Sequence, residues 1–269
     1  MIKDMSNAEY RATEGVSRSE LFRLAKSPMH FKYAIEHPEE SSSALVFGAA
    51  AHKYILEEDA FFDEFDIAPE CDRRTKEGRQ IYAEFVESSQ GKQIISRDDF
   101  ETIVAMSESI KAHPIADKLI NQGKPMIEQS IFWTDADTGE AVKVRPDIMT
   151  EWDGEKFIID YKTTDSCEDG HFERSCRKYG YKLQAGMYRE GVFNELLEQY
   201  GFIFIAQEKK APYAVRIYVC SQDFIDEGLD QYRALIGLYH KCKESGEWFG
   251  YEGETQDEYE ILKGDFEDA

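Results

Sequence analysis

Residues 145–164 read RPDIMTEWDGEKFIIDYKTT, an apolar strand pattern with charged groups near both ends. The apolar run in the second half is followed at once by Asp160, Tyr161 and Lys162. Side chains two residues apart on a strand share a face, so Asp160 and Lys162 are expected on one side and Tyr161 on the other. Asp147 lies thirteen residues before Asp160. The pattern therefore predicts two acids and a lysine at one edge of a sheet.

These groups fit the hydrolysis of a phosphodiester bond. A hard divalent cation prefers oxygen ligands, which Asp147, Asp160 and the backbone carbonyl of Tyr161 could supply. A lysine beside such an ion positions or activates water, while the ion stabilises negative charge on the scissile phosphate. We therefore predict Mg²⁺ (or Mn²⁺) as the cofactor and Asp147, Asp160 and Lys162 as catalytic residues. The D-x-K tripeptide alone is a weak signal, because it also occurs as a solvated strand end.

The first 120 residues predict mostly helices. Ser17 and Glu20 form a capping-box pattern before LFRLAKS, and Ser27-Pro28 then ends the helix or restarts the chain. Further helical patterns lie over residues 44–58, 75–88 and 97–113.

The pattern then changes to short runs rich in Ile, Val and aromatic residues. Turn-forming clusters at residues 135–139 and 152–154 suit hairpins, so three antiparallel strands are expected, with residues 145–147 inside the second. The expected strands are 127–134, 141–150 and 156–161, followed by a helix over 181–200, strands over 201–207 and 214–220, and a helix over 221–245. This order predicts an α/β (α+β) fold with a central mixed β-sheet flanked by helices.

No linker or repeat divides the sequence. We expect a single domain over residues 1–245, with a helical N-terminal portion to about 120 and a catalytic core over about 121–245. Residues 246–269 are expected to form an acidic tail. No apolar run is long enough to span a membrane and the N-terminus lacks a secretory signal pattern, so a cytoplasmic location is expected. The five cysteines include no C-x-x-C pair, which favours reduced thiols over a disulfide framework, a zinc site or an iron–sulfur cluster.

The net charge of −22, from 32 basic and 54 acidic residues, argues against a nucleic-acid partner if taken alone. The charge is unevenly distributed, since residues 173–189 hold five bases and one acid. We predict that this segment follows phosphates, an ordinary solvated face being the alternative. Arg145 either pairs with an acid or contacts DNA. The predicted DNA-binding residues are Arg145, Arg174, Arg177, Lys178 and Lys182.

Several motifs together resemble the PD-(D/E)XK nuclease superfamily, in particular its exonuclease VIII (RecE)-like and RecB-like branches. The resemblance covers residues 15–245 approximately and implies a restriction-endonuclease-like core. The motifs are Pro146-Asp147 with Asp160-Tyr161-Lys162, GAAAH at 48–52, QAGMY at 184–188, VSRS at 16–19 with Ser27-Pro28, and RRTKE at 73–77.

The resemblance implies roles for four more residues. His52 matches a metal-binding histidine of these branches, with a buried core histidine as the alternative. Gln184 and Tyr188 share a helix face and are expected to orient a nucleotide phosphate or the catalytic lysine, although Tyr188 also suits core packing. Glu128 corresponds to a further acid at the metal site, or else is a surface residue.

The resemblance implies a metal-dependent DNA exonuclease that digests linear duplex ends, 5′-to-3′, in phage or prophage recombination. Its implied partners are double-stranded DNA ends and a single-strand annealing protein. A ring-shaped homo-oligomer with Arg174, Arg177, Lys178 and Lys182 on its inner wall would reconcile the acidic chain with DNA. The alternatives are a restriction or structure-specific endonuclease and, less favoured because all the acids and the lysine are present, a non-catalytic DNA-binding protein.

Overall fold

The computed structural model describes residues 1–38, 42–121 and 125–251. Its strands, in chain order, are β1 (Ile2–Lys3), β2 (Val16–Ser17), β3 (Phe65–Ile67), β4 (Gln93–Ile95), β5 (Met126–Ile127), β6 (Ser130–Thr134), β7 (Ala141–Val144), β8 (Ile148–Trp152), β9 (Glu155–Thr164), β10 (Gly201–Glu208) and β11 (Val215–Val219). Its helices are α1 (Asn7–Ala12), α2 (Arg18–Leu24), α3 (Pro28–Glu36), α4 (Ser43–Leu56), α5 (Phe61–Glu64), α6 (Lys76–Ser88), α7 (Arg97–Ala112), α8 (Pro114–Asn121), α9 (His171–Tyr179), α10 (Tyr181–Leu196) and α11 (Gln222–Ser245), with a 3₁₀ turn at Glu58–Ala60.

The central element is a five-stranded sheet with the strand order β11-β10-β9-β8-β5. Strands β9 and β10 are parallel, and the other neighbours in this sheet are antiparallel. The parallel connection runs through α9 and α10, because parallel neighbours need a crossover. A four-stranded sheet (β1-β6-β7-β2) and a parallel pair (β3-β4) complete the strand pairing. The predicted mixed sheet flanked by helices is confirmed.

The five-stranded sheet is buried on both faces. On one face, Ile158 and Phe204 belong to a hydrophobic core that includes residues of α10 and α11. On the opposite face, Ile159 and Ile205 belong to a second core that includes residues of α4, α7 and α8. Because side chains alternate along a strand, β9 supplies both cores. Burial on both faces explains the nearly continuous apolar sequence of β9 and β10.

Two of the predicted strands are interrupted. The expected strand 127–134 is divided into β5 and β6 at Glu128, whose φ of 53° is left-handed. The expected strand 141–150 is divided into β7 and β8, so the prediction that residues 145–147 lie within a strand is wrong. Pro146 has no N–H to donate to a ladder. As a result β6 and β7 pair in one sheet while β8 and β9 pair in another, and the expected three-strand meander does not form.

The other predicted elements are present. Ser17 begins α2 as a capping residue, with the Glu20 carboxylate accepting its backbone N–H at 2.7 Å, and Ser27 caps α3. The turn between β8 and β9 places Asp153 and Gly154 at φ values of 51° and 81°, as a tight hairpin requires. Helices α8 and α9 were not predicted from the sequence.

Helices α10 and α11 approach each other closely through two glycines. A Cβ added at Gly228 would overlap the Lys182 carbonyl, and one at Gly186 would overlap the backbone of residues 228–229. Only glycine permits this backbone contact. The contact fixes α10, which carries Gln184 and Tyr188, against the rest of the fold.

The chain continues to pack after α11. The Phe249 carbonyl accepts a hydrogen bond from the Met29 N–H at 2.9 Å, and Trp248 stacks on Phe31 at 5.1 Å between ring centroids. The first residues of the expected tail 246–269 are therefore attached to α3, and residues 252–269 lie outside the described part of the chain. Within the described residues, no helix is both long and apolar enough to cross a membrane.

Candidate active site

Three side chains from distant parts of the sequence meet at one end of β8. His52 comes from α4, Glu128 from the left-handed break between β5 and β6, and Asp147 from the link before β8. Nε2 of His52 lies 2.9 Å from Oδ2 of Asp147, and its Nδ1 lies 3.5 Å from Oε1 of Glu128. One ligand atom from each of the three residues can be chosen so that all lie within 4.8 Å of one another. Both strand interruptions thus supply a side chain to the site.

The pairing of β8 with β9 fixes the position of Asp147. Ile148 pairs with Ile159, which brings Asp147 beside residues 160–161, in the second half of β9. Its Oδ2 accepts a hydrogen bond from the Tyr161 N–H at 2.8 Å. The second carboxylate, Asp160, lies on that same part of β9.

Two polar side chains, Lys162 and Gln184, contact Asp160. Nζ of Lys162 lies 2.5 Å from Asp160 Oδ1, and the Gln184 amide N–H donates to Asp160 Oδ2. Asp160 and Lys162 share a face of β9, as the two-residue period predicted, and Lys162 also lies 5.1 Å from the centre of the Tyr181 ring. The Lys162 contact does not have hydrogen-bond geometry, so the buried Oδ1 atom of Asp160 has no hydrogen-bond partner.

The electrostatics of the site follow from burial and from the closeness of its charges. Desolvation alone would lower the pKa of His52, but the charge and hydrogen bond of Asp147, helped by Glu128, raise it to about 9. Desolvation and then the Asp147 charge raise the pKa of Asp160 to about 6, against the opposing effect of Lys162. Burial also raises the pKa of Glu128, whereas in Asp147 the effect of burial is outweighed by His52, which lowers the pKa. The carboxylates are therefore close enough for their negative charges to oppose one another, and the His52 and Lys162 cations offset that repulsion.

The donor set fits a divalent metal ion. Imidazole nitrogen and carboxylate oxygen are ligands that Mn²⁺ accepts, and carboxylates alone suit Mg²⁺. His52, Glu128 and Asp147 would hold the ion. Oδ1 of Asp160 has no hydrogen-bond partner but contacts the Lys162 ammonium group. The predicted metal-binding roles of Asp160 and of the Tyr161 carbonyl stay predictions, because neither belongs to the cluster of three.

The sequence matches a family model described as a PDDEXK-like domain of unknown function (DUF3799) over residues 17–259, most of the chain. The chain belongs to this family. No curated protein matches the sequence. Membership of a PDDEXK-like family supports a nuclease, that is, a hydrolase of phosphodiester bonds, and it confirms the resemblance found in the sequence.

Solved structures show the fold of this PDDEXK-like domain independently. The chain is similar to a structure from Eubacterium rectale described as a candidate exonuclease, with 17% identity, a TM-score of 0.65, and coverage of 98% of this chain and 97% of that chain. The fold is thus restriction-endonuclease-like. Two weaker similarities, each at 13% identity, are too low to inform fold or function: SSO0001 (TM-score 0.36, covering 84% of this chain and 77% of that chain) and protein VC1899 from Vibrio cholerae (TM-score 0.25, 90% and 58%).

The predicted DNA-binding residues of this PDDEXK-like domain fall into two groups. Arg174, Arg177 and Lys178 are exposed on α9. Lys182 forms an ion pair with Glu227, which offsets its charge. Arg145 pairs with Glu128 and donates to the Met5 carbonyl at 2.9 Å, so of its two expected roles the structure favours the ion pair.

A basic cleft beside the PDDEXK-like site was missed by the sequence analysis. It has a volume of about 500 Å³ and is lined by residues of α1, α2, β7 and α10, among them Arg11, Arg18, Arg23, Lys143 and Tyr188. The Lys143 ammonium group donates hydrogen bonds to three backbone carbonyls, whereas the side chains of Arg11 and Arg23 are exposed. The sequence feature that could have predicted this cleft is the occurrence of Arg11, Arg18 and Arg23 within one short segment.

Gln184 and Tyr188 have different surroundings. Gln184 is 2% exposed and contacts Asp160, as a role at the site requires. Tyr188 lines the cleft and packs near Phe202, with ring centroids 6.4 Å apart, and burial raises its pKa well above the ordinary value. Tyr188 thus packs in the core and also lines the cleft, and its expected role in orienting a phosphate or the catalytic lysine stays a prediction.

Proposed function

We propose that this PDDEXK-like domain is a divalent-metal-dependent exonuclease that hydrolyses phosphodiester bonds at the ends of linear duplex DNA. The observation that carries the proposal is the cluster of His52, Glu128 and Asp147 beside the charged residues Asp160 and Lys162 of β9. Such a set of acids, imidazole and ammonium suits a metal ion and a water molecule in the same place.

The residues divide the chemistry between them. A bound Mg²⁺ or Mn²⁺ would stabilise the negative charge that develops on the scissile phosphate. His52, Glu128 and Asp147 would bind the ion, and Gln184 orients Asp160. Lys162 directs its ammonium group into the site, where it orients the attacking water and donates a hydrogen bond to a phosphate oxygen. Tyr188 lines the wall next to this position.

The DNA path proposed here uses two basic surfaces. Arg11, Arg18 and Arg23 line the cleft next to Asp160, and the second surface is the exposed face of α9. Both are local exceptions in a chain of net charge −22. Distant acids are screened over a Debye length of about 8 Å, so these local cations dominate the potential that a phosphate experiences.

We further propose 5′-to-3′ polarity, a role in phage or prophage recombination with a single-strand annealing protein, and a cytoplasmic location, where such DNA is found. These follow from the resemblance to RecE-like nucleases. The same resemblance supports a ring-shaped homo-oligomer with Arg174, Arg177, Lys178 and Lys182 facing a central channel. The Lys182–Glu227 ion pair leaves Arg174, Arg177 and Lys178 as the stronger candidates for the channel wall.

Incubation of the purified protein with linear, nicked and covalently closed circular duplex DNA tests the activity. With Mg²⁺ or Mn²⁺, we expect loss of the linear form only, and no loss in EDTA. Cutting of closed circles would indicate the endonuclease alternative, and absence of cutting with any metal would indicate a non-catalytic DNA-binding protein. Labels at either end of the linear duplex give the polarity.

Native mass spectrometry with DNA and Mn²⁺ tests the ring. We expect a cyclic species of several copies, and digestion that continues after excess trap DNA is added. A species of 31.1 kDa alone, with digestion stopped at once by the trap, would contradict the ring and leave the catalytic assignment intact.

A further inference from the structure

The side chain of Gln184 lies between two charged groups. Its Nε2 donates a hydrogen bond to Oδ2 of Asp160, and its Oε1 accepts one from Nη2 of Arg18 at 2.9 Å. Gln184 is 2% exposed and Asp160 is 1% exposed, so the contact between them is buried, whereas the Arg18 contact is half-buried. The result is a chain of hydrogen bonds that runs from α2 through α10 to β9.

The chemistry of the two ends determines the orientation of the amide. A guanidinium group only donates hydrogen bonds, and an ionised carboxylate only accepts them. The amide oxygen of Gln184 must therefore face Arg18 and its NH₂ group must face Asp160. Without Arg18, the amide oxygen would lose its donor, and the hydrogen bond to Asp160 alone would hold the Gln184 side chain.

Arg18 is itself held in place. It is the first residue of α2, after the Ser17–Glu20 cap, and its Nη1 donates to the Tyr179 carbonyl at 3.1 Å. The guanidinium therefore uses two separate nitrogens for two fixed acceptors. A lysine has a single ammonium group and cannot reproduce this geometry.

We infer that Arg18 is a positioning residue for the metal site, which rests on the proposed function. By fixing the Gln184 amide it keeps Oδ2 of Asp160 hydrogen-bonded, so that Oδ1, which contacts Lys162 but has no hydrogen-bond partner, is the oxygen left for the ion. Arg18 also lines the basic cleft, so its contribution must be separated from a direct contact with a DNA phosphate.

The experiment is calorimetric titration of Mn²⁺ into the DNA-free protein, which does not depend on nuclease activity. The variants are Arg18→Ala, Arg18→Lys, Gln184→Ala and the Arg18→Ala/Gln184→Ala double variant. Arg189→Ala is a matched control, because Arg189 donates to the Gln222 amide oxygen at the same distance of 2.9 Å. DNA binding in EDTA, measured by fluorescence anisotropy, and circular dichroism accompany each titration.

Loss of a group that orients a metal ligand costs about 10-fold to 100-fold in metal affinity. We expect about a 10-fold loss of Mn²⁺ affinity for Arg18→Ala and Arg18→Lys, a similar or larger loss for Gln184→Ala, and no change for Arg189→Ala. In the double variant the loss should equal that of Gln184→Ala alone, because Arg18 acts through the amide.

Several outcomes would overturn the inference. Wild-type Mn²⁺ affinity in both Arg18 variants, with weaker DNA binding only, would make Arg18 a phosphate contact. Additive losses in the double variant would show that Arg18 acts independently of Gln184. Absence of Mn²⁺ binding by the wild-type protein would instead overturn the proposed metal site, and the inference with it. If Arg18→Ala does not fold, the Mn²⁺ affinity of Arg18→Lys tests the inference instead.

Discussion

The two faces of β9 differ in how their buried polar groups are paired, although the residues concerned are adjacent in the sequence. On one face, Asp160 and Lys162 lie beside Asp147, and a buried carboxylate oxygen has no hydrogen-bond partner. On the other face, the Tyr161 hydroxyl donates to Gln207 Oε1 at 2.6 Å, and the Gln207 amide donates to the Met106 carbonyl at 2.8 Å. We call these the charged face and the packed face.

The packed face therefore stabilises the fold, whereas the charged face lowers its stability. Buried polar groups on the packed face are hydrogen-bonded, as in most protein interiors. On the charged face, burial and the neighbouring Asp147 charge raise the pKa of Asp160 to about 6. Above that pH its ionised form opposes folding, because the folded state binds the proton more tightly than the unfolded state does. Charged-face variants should therefore affect activity, and packed-face variants should affect stability.

Asp160→Asn should have the largest effect on activity. Loss of the carboxylate charge removes a group that serves the metal and orients Lys162, so we expect cleavage of linear duplex DNA to fall by about 100-fold or more. Above pH 6 the melting temperature should equal or exceed that of the wild type, because a buried charge is removed. Cleavage rates with Mn²⁺ and thermal melting at pH 7.5 measure the two quantities.

Asp165→Asn is a matched control for Asp160→Asn. Asp165 follows β9 directly, but its side chain is 76% exposed and pairs with Lys209. Its replacement should leave both cleavage and melting close to wild type. Near-normal cleavage by Asp160→Asn would mean that the charged face is not the active site.

His52→Ala should have the second largest effect. His52 contributes the nitrogen ligand beside Asp147, so we expect the Mn²⁺ concentration for half-maximal cleavage to rise about 10-fold to 100-fold. The control is His240→Ala, which removes another histidine–carboxylate pair, with Glu140 at 2.9 Å. An unchanged metal requirement together with a lower melting temperature would identify His52 as a core histidine.

Gln207→Leu tests the packed face. It leaves the Tyr161 hydroxyl buried without its partner and removes the amide donor from the Met106 carbonyl, which should lower the free energy of unfolding by about 1–3 kcal/mol. Cleavage by the folded protein below its melting transition should stay within about 3-fold of wild type. Urea unfolding gives the stability, and the exposed Gln199→Leu is the control. A 100-fold loss of cleavage would show that the two faces are not separable.

The two faces of β9 could be predicted from the sequence, but not all the residues that contact them could. Alternation along β9 separates Asp160 and Lys162 from Tyr161, so the charged face could be predicted from period and residue type. The break at Pro146 was also open to prediction, because proline cannot donate to a strand ladder. His52 was expected only through the family resemblance, since within an alanine-rich helix it is equally typical of a core.

The basic cleft and the role of Arg18 depend on packing between distant segments. Arg18 meets Gln184 because α2 lies against α10, where the Phe22 ring packs on Gly180 so closely that a Cβ would overlap it. No local period encodes that contact. Glu128 likewise reaches the site through a single left-handed residue, which a strand pattern does not predict for glutamate.

Tyr161→Phe should have the smallest effect and sharpens the comparison within the packed face. It leaves only the Gln207 Oε1 atom without its hydroxyl partner, while the Gln207 amide keeps its contact with Met106. We expect a loss of about 1 kcal/mol in the free energy of unfolding and nearly normal cleavage. Because replacing both partners of a hydrogen bond costs less than leaving one unpaired, the Tyr161→Phe/Gln207→Leu double variant should be more stable than the sum of the single losses predicts. Strictly additive losses in urea unfolding would mean that the hydroxyl and the amide stabilise the fold independently, so that the packed face is not a coupled network.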